Sequence, residues 1–246
     1  MSAPAARRSD LVAAQRARPP FGGRHFPAGD PAVRVGTTGT GDDLLLLAWS
    51  ATDLRHEIAA GVRVLGAVGL HAAMRIANTL PGALATPGAL LLGDVHEAMG
   101  ALDVPLGVPD TEAAARAAWE LVDRVQCQVL VLDPATAATL FAAAPAGPRP
   151  WWAGIVWLVR DGDTRPPSPP AGFAGWQRRW LAVPEVTSFV AATCAGDRFH
   201  LDDELEARAD GGELVLAARD AHYATGLRAR VEPGCACGRP GAVVVL

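Results

Sequence analysis

The sequence predicts an α/β fold in which a parallel α/β unit is followed by a small β-rich subdomain. Strand-like and helix-like segments alternate between residues 44 and 132, which is the pattern of a parallel sheet covered by helices. After Gly175 the apolar segments become short and are separated by turn residues, which indicates an antiparallel sheet or a small barrel. A chain of 246 residues, 50% of them hydrophobic, is long enough to bury a sizeable core without disulfides.

Changes in composition divide the chain into four regions. Proline, glycine and the loss of periodicity mark the first and third regions, whereas regular hydrophobic spacing marks the other two. The regions are an N-terminal arm with little expected order (1–33), the α/β unit with a Gly/Thr loop (34–145), a Pro/Gly-rich connection around one strand-like run at Gly154–Val159 (146–175), and the β-rich subdomain that contains the candidate zinc site (176–246).

Within the α/β unit, the hydrophobic period separates strands from helices. Leu44–Trp49 is a predicted buried strand, and Thr52–Ala67 is a predicted helix behind a capping threonine. Thr111–Val125 is a predicted helix capped by Thr111, with an acidic residue in the first turn, where the helix dipole favours it. Further elements are predicted at Met74–Leu80 (strand), Gly88–Leu102 (helix) and Val129–Leu132 (strand).

Short β-rich segments between turn residues predict five strands in the last region. They are Trp176–Val183, Phe199–Ala207, Glu213–Ala218, Tyr223–Val231 and Ala242–Leu246.

Charge and hydropathy exclude several classes of partner. A net charge of -4 supplies no basic field, so we expect neither nucleic acid nor a membrane surface as a partner. No apolar run approaches the roughly 20 residues of a membrane helix, and Met1–Asp10 is not followed by a hydrophobic stretch. We therefore expect a cytoplasmic protein with a small-molecule or protein partner. All 22 basic residues are arginines, so the chain has no lysine.

Four residues near the C-terminus have the types and spacing of a zinc site. Cys194 and His200 flank a predicted turn between two strand-like segments, so both side chains can reach one ion. Cys235 and Cys237 project from a second predicted turn, which begins at Pro233. Three thiolates and one imidazole fill a tetrahedral shell and leave no place for water. The metal would therefore be structural and would join two β-hairpins.

The alternative for these cysteines is that they are buried apolar side chains. Cys127 fits that description, since it stands alone in an apolar segment. For the group of four we favour zinc, because a Cys-x-Cys pair after a Pro-Gly turn is seldom built for packing. The Cys-x-Cys spacing is nevertheless less diagnostic than Cys-x-x-Cys.

A Gly/Thr-rich loop before the first strand is a candidate phosphate site. Its backbone N–H groups and hydroxyls are the donors that bind phosphate oxygens, although short Gly/Thr runs are more often plain turns. The candidate residues are Gly36, Thr37, Thr38, Gly39 and Thr40.

The order of several short motifs resembles that of the phenylacetate-CoA ligase family of adenylate-forming enzymes, in which a Ser-Ser-Gly-Thr-Thr-Gly-Lys-Pro loop precedes the first α/β unit. The resemblance extends from about Ser9 to Arg239. The matching segments are Ser9-Asp10-Leu11, Pro20-Phe21-Gly22, the Gly/Thr loop, Asp53-Leu54, Pro184-Glu185-Val186, His200–Asp203, Gly212–Val215, His222–Leu227 and Cys235–Arg239.

This resemblance implies a fold like the N-terminal domain of adenylate-forming ligases, and a site for ATP or AMP with Mg²⁺. Members activate a carboxylic acid with ATP and then transfer the acyl group to coenzyme A. Glu185 matches the glutamate that the family associates with magnesium, and is the one candidate catalytic residue. The alternative for Glu185 is a solvated turn carboxylate. Some members also carry a zinc on the same cysteine and histidine set.

The sequence departs from the family at positions that matter for catalysis. The loop lysine and proline are replaced by Thr40 and Gly41, and the aspartate that holds the ATP ribose is replaced by Leu227, which cannot accept a hydrogen bond. The sequence ends soon after Arg239, so we also expect the C-terminal lid domain and its lysine to be missing.

Two functions are compatible with these departures, and the sequence does not decide whether the chain is an enzyme. In the first, which we favour, it is a non-catalytic binding or scaffolding subunit with a structural zinc, which binds a carboxylic acid, an acyl group or a protein. In the second, it is a working AMP-forming acyl- or aryl-CoA ligase or acyltransferase component that needs a partner chain to supply the lid.

Overall fold

The computed structural model describes residues 5–23, 30–81, 87–160, 166–218 and 221–246, with five α-helices, one 3₁₀ helix (Gly41–Asp43) and fourteen strands. The helices are α1 (Arg8–Ala17), α2 (Ala51–Ala67), α3 (Pro87–Ala98), α4 (Glu112–Val125) and α5 (Pro134–Ala142). The strands are β1 (Ala32–Thr38), β2 (Leu45–Ser50), β3 (Arg75–Asn78), β4 (Leu102–Pro105), β5 (Val129–Leu132), β6 (Gly154–Val159), β7 (Trp176–Val183), β8 (Thr187–Thr193), β9 (Phe199–Leu201), β10 (Glu206–Asp210), β11 (Glu213–Ala218), β12 (Ala221–Arg228), β13 (Arg230–Glu232) and β14 (Val243–Val245).

A mixed nine-stranded sheet forms the centre of the molecule, with the order β13-β14-β9-β8-β7-β6-β5-β3-β4. The pairings from β4 across to β7 are parallel, and those from β7 to β13 are antiparallel. The predicted change from parallel to antiparallel pairing is therefore confirmed. The two regions nevertheless belong to one continuous sheet, because β7 pairs with β6 in parallel and with β8 in antiparallel.

Helices cover both faces of the parallel half of the sheet. Val129 and Val131 of β5 pack in a core with α2 and α3, whereas Leu130 and Leu132 pack in a second core with α4 and α5. This alternation follows from the two-residue period of a strand and explains why β5 is apolar at every position.

A third core lies under the three-stranded sheet β10-β11-β12. Leu181 of β7 and Val190 of β8 pack there with Leu214 and Leu216 of β11. The alternate residues of β7, such as Trp180, face the core that contains α2. The β-rich region is thus packed on the same sheet as the helices.

Several predicted elements are confirmed with small shifts. Helix α4 begins after Thr111, whose hydroxyl accepts a hydrogen bond from the N–H of Ala114 at 3.2 Å. Helix α2 begins earlier than predicted, because Ser50 and Asp53 form a capping box and Ser50 replaces Thr52 as the cap. The predicted strand Phe199–Ala207 is divided between β9 and β10, and Tyr223–Val231 between β12 and β13.

The expectation of little order in the N-terminal arm is wrong for residues 8–17, which form α1. The helix is attached to β2 by Gln15, whose side-chain amide accepts from the N–H of Leu46 at 3.0 Å and donates to its carbonyl at 2.5 Å. The sequence analysis also missed β1, β4, β8 and α5. Within the described residues, no helix is long and apolar enough to cross a membrane.

Candidate functional site

The four predicted metal ligands lie together at the antiparallel end of the large sheet. Cys194 follows β8 and His200 lies in β9, so the β8–β9 hairpin supplies two donors. Cys235 and Cys237 lie in the connection between β13 and β14, and Val243 of β14 pairs with His200. The sheet register therefore brings the second pair of donors against the first.

The distances within this cluster fit one zinc ion. All four ligand atoms lie within 4.8 Å of one another. The Sγ atoms of Cys194 and Cys235 are 3.6 Å apart, and Sγ of Cys237 is 3.3 Å from Nε2 of His200. Zinc–ligand bonds of about 2.3 Å to sulfur and 2.0–2.1 Å to nitrogen give tetrahedral edges of about 3.6–3.8 Å. The cysteines are free thiols, and 3.6 Å is far from a disulfide bond.

The thiol of Cys194, in this cluster, is more acidic than that of Cys127, which lies outside it. Burial opposes ionisation of Cys194, but hydrogen bonds from the backbone of Arg198 and Gly196 and from the side chains of His200 and Cys235 outweigh it and lower its pKa to about 6. A thiolate is the form that binds zinc, so this environment suits a ligand. In contrast, burial raises the pKa of the Cys127 thiol to about 11, as expected for a cysteine that only packs.

A second candidate site lies where the Gly/Thr segment, Glu185 and β12 meet. We call it the Arg8 cavity. It has a volume of about 490 Å³. Its lining consists of Arg7, Arg8, Ser9, Thr38, Gly39, Asp43, Arg160, Val183, Pro184, Glu185, Tyr223, Ala224, Thr225, Gly226 and Leu227.

The guanidinium group of Arg8 connects the groups around this cavity. It donates to the carbonyl of Thr38 at 2.7 Å, to the carboxylate of Asp43 at 2.6 Å and to the carbonyl of Asp43 at 2.7 Å. It also forms an ion pair with Glu185, whose side chain is only 7% exposed. Glu185 is therefore not a solvated turn carboxylate, because it is buried and already paired with a cation.

The predicted phosphate-binding residues are mostly part of a strand. Gly36, Thr37 and Thr38 lie in β1 and pair in register with β2, so they do not form a flexible loop. Gly39 has a φ of +78°, and a Cβ atom there would collide with the Arg8 guanidinium and with the carbonyl of Asp43. Of the five predicted residues, Thr38 and Gly39 line the Arg8 cavity.

The segment His222–Leu227, which resembles a motif of the phenylacetate-CoA ligase family and contains Leu227 at the position of the ribose aspartate, is also engaged internally. The hydroxyl of Thr225 donates to the carbonyl of Leu214 at 2.9 Å, and the N–H of Gly226 donates to Glu213 at 2.8 Å. Leu227 is buried in the third core. Burial also raises the pKa of Tyr223, and the nearby carboxylate of Glu185 adds to this effect.

The sequence analysis missed Arg8 and Asp43. Arg8 precedes the Ser9-Asp10-Leu11 segment, but nothing in its neighbours indicates a partner 177 positions away. Asp43 lies three positions after Thr40, the end of the Gly/Thr segment, and could have been considered on that ground.

A search of protein-family models and of curated proteins finds no match to this sequence. Among solved structures, the fold is similar to that of adenylate-forming acyl-CoA ligases. An open conformation of 2-hydroxyisobutyryl-CoA ligase in complex with 2-HIB-AMP and CoA gives a TM-score of 0.80 at 15% identity, over 98% of this chain and 62% of that ligase. The same ligase in the postadenylation state with R3-HIB-AMP gives 0.78 at 16% identity, over 98% of this chain and 56% of the ligase.

The N-terminal domain of FACL13 from Mycobacterium tuberculosis is also similar, with a TM-score of 0.60 at 12% identity over 97% of this chain and 66% of that domain. The chain thus spans less than two thirds of the ligase structures that it matches at the highest scores. At these identities the comparisons establish the fold, which is that of the N-terminal domain of adenylate-forming ligases.

Proposed function

We propose that this chain is a non-catalytic ligase-like protein, a binding or scaffolding subunit whose β-rich region is held by one structural zinc ion. The fold supports a ligase-like origin, since the similar structures are acyl-CoA ligases with adenylate intermediates or CoA bound. The observation that carries the proposal is the position of Arg8. Its guanidinium lies between the end of β1 and Glu185 and is bound to both.

This arrangement is unfavourable for adenylation. A magnesium ion at Glu185 would have to displace a buried ion pair, and the charge of that pair is already balanced. Transition-state charge on a phosphate must be met by preorganised cations, and losing one such contribution commonly costs about a hundred- to a thousandfold in rate. The sequence contains no lysine that could supply such a cation. The side chain of Leu227 cannot accept a hydrogen bond from a ribose hydroxyl.

The zinc part of the proposal is supported by the donor set. Three sulfur atoms and one imidazole nitrogen lie within 4.8 Å of one another, and this donor set matches the ligands of structural zinc sites. Cys194, His200, Cys235 and Cys237 would hold the ion. It would join the β8–β9 hairpin to the β13–β14 connection and would add folding free energy to the edge of the sheet.

The test is pyrophosphate release by the zinc-loaded chain with ATP, magnesium and a broad panel of carboxylic acids. We expect no release above background, and the Glu185→Ala variant serves as the matched control. Turnover that persists through purification and disappears in Glu185→Ala would show that the chain is an enzyme. Thermal unfolding with ATP, AMP, CoA and the acids reports binding separately, because a ligand at a hundred times its dissociation constant adds about 2.7 kcal/mol of stability.

A further inference from the structure

A second cavity lies on the other side of Glu185, and we call it the Glu57 cavity. It has a volume of about 350 Å³, at the lower end of the range of small-molecule sites. It shares Pro184, Glu185 and Tyr223 with the Arg8 cavity. Its apolar lining comes from Leu11, Leu47, Trp49, Ala60, Val186 and Leu205.

Glu57 differs from the other carboxylates that line this cavity. Asp202 is held by Arg63 through two bonds of 2.8 and 2.9 Å, and Glu204 lies 3.2 Å from the same guanidinium. Glu185 is paired with Arg8. Asp53 caps the start of α2 by accepting from the N–H and the hydroxyl of Ser50, each at 3.0 Å.

Among the described residues, no arginine forms an ion pair with Glu57. Its Oε2 accepts a hydrogen bond from the N–H of Ser188 at 2.9 Å, which fixes the carboxylate on the wall between α2 and β8. A backbone donor stabilises the ionised form but supplies no counter-charge. Burial raises the pKa of Glu57, and the charge of Asp53 adds to this effect.

We propose that the Glu57 cavity binds a small primary ammonium ion with a short apolar chain. The ammonium group would lie against the Glu57 carboxylate and supply the missing positive charge. The apolar chain would contact the Trp49 and Leu205 side of the cavity. An anionic acid is the wrong ligand here, because its carboxylate would face the Glu57 carboxylate, which has no arginine partner among the described residues. The inference concerns a site beside the Arg8 cavity and does not require nucleotide binding.

The experiment compares pentylamine, pentan-1-ol and pentanoate as probes of the full chain at pH 7.5, by isothermal titration calorimetry and saturation-transfer NMR. We expect pentylamine to bind on the order of tenfold more tightly than pentan-1-ol, since it adds an ion pair in a partly desolvated site. We expect pentanoate not to bind. Equal binding of all three probes, tighter binding of pentanoate, or no saturable binding of pentylamine would overturn the proposal.

Two variants locate the binding. Glu57→Gln removes the charge while keeping the shape, and should reduce pentylamine affinity to that of pentan-1-ol. Glu120→Gln on the exposed face of α4 is the matched control and should leave it unchanged. If Glu57→Gln does not fold, Leu205→Trp fills the cavity, leaves Glu57 in place and should also abolish pentylamine binding. Pentylamine affinity that survives in every folded variant at Glu57 or Leu205 would place the amine elsewhere and refute the assignment.

Discussion

Removing only the cation of the Arg8–Glu185 ion pair should destabilise the protein strongly, and Arg8→Met tests this directly. Methionine keeps most of the apolar stem but removes the guanidinium, leaving Glu185 buried without its cation. Removing one member of a fully buried pair costs about 3–5 kcal/mol. The Arg8 side chain is 24% exposed and that of Glu185 is 7% exposed, so we expect the lower end of that range, about 3 kcal/mol. For a chain of this size that loss lowers the melting temperature by about 6–12 °C.

A double-mutant cycle separates the ion pair from the other bonds of Arg8. Glu185→Gln leaves Arg8 bound to Thr38 and Asp43, so we expect a smaller loss of about 1 kcal/mol. The double variant has no unpaired buried charge and should be more stable than Arg8→Met alone, with a coupling of about 2 kcal/mol. Urea unfolding at pH 7 measures all four proteins. If Arg8→Met lies within about 0.5 kcal/mol of the parent, or if the two losses add, the pair is not the element that holds this site.

Three further predictions concern the metal, the end of β1 and pH. The purified protein should contain about one zinc per chain by elemental analysis. Cys235→Ser should lower both the zinc content and the melting temperature, because folding is coupled to metal binding. A metal-free parent protein, together with an unchanged melting temperature in the variant, would identify ordinary core cysteines. Gly39→Ala should destabilise the protein more than Gly41→Ala, since both glycines have positive φ but only a Cβ at Gly39 meets Arg8; equal unfolding free energies would contradict this contact. Because the pKa of Glu57 is raised above its ordinary value of 4.5, the folded state holds this proton more tightly than the unfolded state does. The free energy of unfolding should therefore fall as pH rises above 4.5 through the raised pKa, and Glu57→Gln should reduce this dependence on pH. Urea unfolding at several pH values measures it, and an identical pH dependence in both proteins would contradict the prediction. The other ionisable groups lining the Glu57 cavity are Asp53, His56, Glu185, Asp202, Glu204, His222 and Tyr223.

The sequence was sufficient for features that depend on local spacing. The grouping of Cys194 with His200 follows from one hairpin, and that of Cys235 with Cys237 from one turn. Joining the two pairs required in addition that β14, which follows the second pair, lie beside β9 of the first hairpin. Strand β5 and helix α4 were equally accessible, because a four-residue apolar run and a capped amphipathic helix have distinct periods.

The sequence was insufficient where distant contacts override local composition. Gly36 and Thr37 belong to a strand because β2 supplies a partner, although glycine and threonine in a row are typical of turns. Helix α1 is bonded through Gln15 to the backbone of Leu46, and no periodicity within residues 1–33 reveals that contact. The role of Arg8 depends on a carboxylate far along the chain.

All basic residues of this chain are arginines, and this is one reason why we propose that the Arg8 cavity does not bind the phosphates of a nucleotide. A guanidinium is a planar fork that can hold a carboxylate through two parallel bonds, which an ammonium does not do. Such two-bond pairs join distant segments in this chain: Arg7–Glu213, Arg63–Asp202, Arg149–Asp123 and Arg179–Asp197.

The arginines that line the Arg8 cavity also form ion pairs with carboxylates. Its three arginines are each paired with a carboxylate: Arg7 with Glu213, Arg8 with Asp43 and Glu185, and Arg160 with Asp133. Within the part of the chain that the structure describes, the cavity therefore presents no cation without a carboxylate partner. A phosphate entering it would meet arginines whose charge is already balanced by carboxylates, so the attraction that an unpaired lysine provides would be absent.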